Sequence, residues 1–141
     1  MSSQLSESCS SIEECYEFML AYAGQGLAGG GQDGLIRDFL GCAARALRGL
    51  EKAYESAIAE RGWDQAGPYA AFQAVLARDA RDSLAAVELV LIQATISSQL
   101  IDNLNASIHL RALLTDLFLI DEILKGSRNQ QNPAGAAGSS H

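Results

Sequence analysis

Two histidines occur in the 141 residues, His109 and His141, and only the first lies outside the C-terminal tail. Asp102, Asn105, His109, Ala112 and Asp116 fall at helical spacing on one stripe. Two carboxylates and an imidazole on one face would ligate a hard metal ion. They would also serve as an acid–base set, with Asn105 or Asp116 orienting the ring. Asp102, His109 and Asp116 are therefore the candidate metal ligands. The set lacks the Glu-x-x-His of carboxylate-bridged metal bundles, because Ala106 stands three residues before His109, and it lacks His-x-x-x-His. Further ligands, such as Glu13 or Glu17, would have to come from another helix. The plainer reading of the stripe is a solvated helix face.

Glu88 stands inside Ala85-Ala86-Val87-Glu88-Leu89-Val90-Leu91-Ile92. A carboxylate buried there would be pushed up in pKa and would mark a site. At a bundle edge it would instead pair with an arginine such as Arg111. Cys9, Cys15 and Cys42 show no CxxC spacing and are odd in number, which argues against a disulfide framework or a zinc site. Free thiols in a reducing compartment are expected. Gly24-Gln25-Gly26-Leu27-Ala28-Gly29 matches G-x-G-x-x-G, but a helix pattern precedes it where a dinucleotide fold needs a strand. It reads as a linker. No nucleophile elbow is present, and no cofactor is expected.

The elements that must carry these residues are helical. Apolar residues make up 48% of the chain but aromatic ones only 6%, and alanine and leucine dominate, both strong helix formers. Ser10 or Ser11 with Glu13 or Glu14 forms a capping box, after which Ile12, Cys15, Tyr16, Met19, Leu20 and Ala23 share one face. Phe18 and Tyr22 fall off that face and form a second apolar patch. Gly24 to Gly34 breaks the helix. A second helix, about 34–61, carries the heptad-like seam Ile36, Leu40, Ala43, Leu47, Leu50, Tyr54 and Ala57, and Gly62 stops it. Pro68 opens a third helix, with Tyr69, Phe72, Leu76, Ala80, Ser83, Val87, Val90 and Ala94 in a stripe. Ser97-Ser98 marks a turn, or a kink in a continuous helix. A fourth helix, about 99–125, has two apolar faces: Ile101, Leu104, Ile108, Ala112, Thr115 and Leu119 on one, and Leu110, Leu113, Leu117, Ile120 and Leu124 on the other.

The expected fold is all-α, an antiparallel up-and-down bundle of about four helices over residues 1–126, with a disordered tail over 127–141. Two apolar faces on one helix exceed what a single subunit hides, so a dimer is expected. Its interface would use Phe18, Tyr22, Leu110, Leu113, Leu117, Ile120 and Leu124. The net charge is −7, and every lysine and arginine lies from Arg37 onward. That balance disfavours nucleic acid and anionic membranes as partners. No signal peptide or spanning run is visible, so a cytoplasmic location is expected. The composite reading is a homo-oligomeric interaction, regulatory or adaptor module without evident catalysis, with another protein as a possible partner. The alternative is a ligand- or metal-binding bundle using the acidic and histidine cluster between helices three and four.

Overall fold

A computed structural model describes residues 3–24 and 33–131. Among them the chain forms five helices and no strand: α1 (Ser3–Gly24), α2 (Asp33–Glu60), α3 (Pro68–Leu91), α4 (Ser98–Ala106) and α5 (Ile108–Gln131). Helix α1 packs on α2 and α4, α2 on α3, and α3 on α5. The glycine-rich connection at 25–32, with most of the G-x-G-x-x-G stretch, lies outside the described residues, as does 132–141 of the expected tail. No described helix is long and apolar enough to cross a membrane.

Helix α2 follows its pattern closely. All seven residues of its seam are buried, and full burial of each leucine contributes about 1.5 to 3 kcal/mol. Gly62 takes φ 71°, the left-handed conformation that glycine adopts without a Cβ clash, and its amide donates to the Ala59 carbonyl at 3.1 Å. Pro68 occupies the first turn of α3, where its missing N–H costs nothing.

Helix α1 begins at Ser3, well before the expected cap at Ser10 or Ser11. Leu5 and Cys9 extend the stripe of Ile12 backwards, and both are buried. Tertiary burial of that stripe overrides the local capping signal. The stripe also lies one residue off the expected face, with Tyr22 buried and Leu20 exposed. The Tyr22 hydroxyl donates to the Ile96 carbonyl at 2.6 Å, tying α1 to the loop after α3.

Helices three and four are separate. Residues 92–97 connect them, and the Ser97 hydroxyl caps α4 by accepting from the Leu100 amide at 3.1 Å. Arg37 of α2 closes the end of α3, donating to the carbonyls of Leu91, Gln93 and Ala94 at 3.0, 2.7 and 3.0 Å. The expected single helix over 99–125 is broken at Ser107, which is extended and caps α5 through the Leu110 amide at 3.2 Å. Serine competes with the helical backbone through such bonds. Helix α5 then runs through Gly126 to Gln131, beyond the expected end of the bundle at 126.

That break corrects the expected interface. Leu110, Leu113, Leu117, Ile120 and Leu124 are buried in the chain's own core, as is Tyr22, while Phe18 is half-buried and stacks on Phe39 of α2 at 4.4 Å. Six of these seven residues are buried within one chain, and the seventh, Phe18, is partly covered by it. Beyond Ile108 at its first position, the apolar surplus of α5 is carried instead by Phe118, Leu119 and Ile123, exposed by 59, 51 and 48%.

Candidate functional site

Two left-handed glycines, Gly62 and Gly67, bracket the loop between α2 and α3. Inside it, the Asp64 carboxylate accepts from the Ala66 amide at 3.0 Å, a side-chain-closed turn. This tight path sets Trp63 back over α3, stacked on Tyr69 with ring centroids 4.9 Å apart. The Arg61 guanidinium sits 5.2 Å from the indole centroid, in range of a cation–π contact. Tyr54 of α2 donates its hydroxyl to the Tyr69 carbonyl at 3.0 Å and tilts against Phe72 at 6.1 Å. Burial, then the neighbouring Tyr69, raises the pKa of that hydroxyl and keeps it a donor.

These four aromatic residues form one wall of a groove of about 460 Å3. Leu119 and Ile123 of α5, Leu5 of α1 and Ile58 of α2 also line it. None of the lining residues carries a charge at neutral pH. The chemistry on offer is therefore burial of apolar surface against flat, rigid rings. The sequence pattern places Tyr69 and Phe72 in the stripe of the third helix and does not bring them together with Tyr54 and Trp63 in a groove. One signal was available: four of the nine aromatic residues fall between 54 and 72.

The expected polar sites come out differently. Among the described residues, no group of three or more His, Cys, Asp or Glu side chains is placed to hold a metal ion. Ser107 puts Asp102 on α4 and His109 and Asp116 on α5, so the continuous stripe does not exist. Asp102 and His109 are exposed, whereas Asp116 is buried. Asn105 is also buried, under a cleft of about 400 Å3 rimmed by the exposed Asp102 and Arg111. Among the described residues its amide atoms are buried without a hydrogen-bond partner. Glu88 is half-exposed and pairs with Arg48 of α2 rather than with Arg111.

Two carboxyl pairs were not foreseen. Asp116 meets Asp79 of α3, and Glu13 of α1 meets Asp121 of α5. Desolvation first, then the contact with Asp79, pushes Asp116 up to about 8. Desolvation, then Asp121 and Glu17, pushes Glu13 up to about 7. The two buried thiols, Cys9 and Cys15, are inert. Burial, with Asp121 and Glu13 adding, raises Cys9 to about 12, and burial, with Cys42 adding, raises Cys15 to about 12. Neither forms a thiolate nucleophile at neutral pH.

No family model matches the chain, and no curated protein sequence or solved structure matches it either.

Proposed function

We propose that this chain is a binding module rather than a catalyst: an antiparallel helical bundle that pairs with a second copy through the aromatic groove and the outer face of α5, and works as an adaptor or regulator in the cytoplasm. One observation carries the reading. Phe118, Leu119 and Ile123 expose large apolar side chains, and Leu119 and Ile123 belong to a groove without a charged lining residue. Contiguous exposed apolar surface of this kind marks interaction sites.

A second copy suits the surface because the same chain supplies both halves of the contact. The projecting α5 side chains of one subunit meet the groove of the other, and a two-fold axis repeats that contact in reverse. Helix-in-groove recognition uses apolar anchors at i and i+4, the relation between Leu119 and Ile123. The net charge of −7 and the absence of a basic tract weigh against nucleic acid or an anionic membrane as the partner.

Sedimentation velocity at high micromolar concentration tests this. The expected result is a particle of twice the chain mass, converted to a monomer by Leu119→Glu with Ile123→Glu, whose sites are already half in water. A wild-type monomer overturns it. The volume of the groove supports a second reading, since it falls within the range of about 300 to 1,000 Å3 typical of small-molecule pockets. A neutral apolar ligand would then quench or shift the Trp63 emission of a chain that never dimerises. The acidic and histidine cluster contributes to neither reading.

A further inference from the structure

Asp116 is 6% exposed, and among the described residues its Oδ2 receives a hydrogen bond from no donor group. The side chain it meets is another carboxyl, Asp79. Two ionised carboxylates in such contact repel, and both are acceptors. The contact becomes a hydrogen bond only when a proton lies between them. Glu13 repeats the arrangement on the far side of α5. Among the described residues its Oε2 is sealed without a donor, and it meets Asp121 at the edge of a small cavity of about 230 Å3 that both line.

Helix α5 thus meets α3 through one acid pair and α1 through another. We propose that two shared protons, one in each pair, fasten α5 to its neighbours, so that the helix is clamped in mildly acidic surroundings and loosened as pH rises.

Among the described residues, no lysine or arginine forms a salt bridge with any of the four carboxyls. From α3, Asp79 faces Asp116, while Arg78 and Arg81 beside it are exposed; Asp102 of α4 and Arg111 of α5 are exposed as well. Around Glu13 stand Asp121 of α5, Glu17 and Cys9 of α1, and Lys125. The Lys125 ammonium lies 4.0 Å from Glu122 and is largely in solvent.

The direction of the effect follows from proton counting. In the unfolded chain the two acids release their protons near their ordinary values of 3.8 and 4.5; in the folded chain they release them near 8 and 7. Between these limits the native state holds more protons than the unfolded state. Stability from the pairs is therefore full below the unfolded values and is lost as pH rises through the folded ones. Leu119 and Ile123 sit on the same helix, so release of α5 would also open the groove. That consequence rests on the binding role given to the groove, whereas the clamp does not.

Urea unfolding followed by Trp63 fluorescence between about pH 5 and pH 8.5 tests the clamp. The unfolding constant of the wild type should rise by up to about tenfold per pH unit for each proton released. Asp116→Asn and Glu13→Gln, neutral at every pH, should each remove one proton from that slope, and together should flatten it. A wild type as flat as the double variant overturns the proposal, and so does a slope that survives both changes. Infrared spectra of the wild type at neutral pH supply a test that needs no variant. A protonated-carboxyl carbonyl band should be present, and its absence overturns the clamp even if neither variant folds. Failure of the groove would instead appear as a wild-type monomer, with the pH slope untouched.

Discussion

Helices α2 and α5 are built from similar material and end up in different situations. Each carries an apolar stripe with spacings of three and four, and in each the stripe is sealed in the core. The back of α2 is polar, with Arg45, Arg48, Glu51, Lys52 and Glu55 in water. The back of α5 is partly apolar, with Phe118, Leu119 and Ile123 exposed. A heptad-like stripe therefore says which side faces inward, and does not say that the other side is finished. The outward chemistry of α5 is what distinguishes it from a purely structural rod.

Truncations inside the two stripes should be the most costly and nearly equal. Leu50→Ala in α2 and Leu117→Ala in α5 each empty a fully buried site, and urea melts should show a loss of about 2 to 5 kcal/mol. A markedly smaller cost at Leu117 would mean that α5 is not packed as α2 is. The helix boundaries come next. Gly62→Ala, at φ 71° beyond the end of α2, should cost about 1 to 2 kcal/mol, because a Cβ is strained there. Ser107→Ala removes the cap of α5 and should cost about 1 kcal/mol. The smallest effect belongs to the outer face. Ile123→Ser, measured dilute enough for the chain to be monomeric, should stay within about 0.5 kcal/mol of wild type. A loss as large as that of Leu117→Ala would erase the distinction between the two faces of α5.

The legible part of the fold was the part written in a single local code. The seam of α2, the glycine stop at Gly62 and the proline start at Pro68 each rest on neighbouring residues, and each was readable in order along the chain. The start of α1 was misread because a good capping box at Ser10 to Glu14 competes with a stripe whose first members, Leu5 and Cys9, sit among serines. The break at Ser107 was missed because neither Gly nor Pro marks it, and a serine cap inside an apolar run looks like a tolerated helical residue. Once that break is in place, the phase of α5 changes, and the residues assigned to a partner become core.

The candidate site was harder still. Its aromatic wall joins Tyr54 from one helix, Trp63 from a loop, and Tyr69 and Phe72 from the next helix. Leu119 and Ile123, which line the same groove, come from far along the chain. Apolar residues of this kind look identical in sequence whether they fill a core or line a cleft. The acid pairs share that difficulty. Asp79 and Asp121 have no local feature that sets them apart from the other carboxylates, and what makes their partners unusual is burial contributed by other helices.

The grip of Arg37 on the Leu91 carbonyl at the end of α3, and on those of Gln93 and Ala94 just past it, has a consequence for how the molecule comes together. Those carbonyl groups have no helical successor to bond with, and the guanidinium that satisfies them arrives from the opposite end of a different helix. The last turn of α3 is therefore completed by assembly and not by the segment that forms it. A peptide of that segment alone would fray where the intact chain is firm, and the ordering of α2 and the closing of α3 belong to one cooperative event.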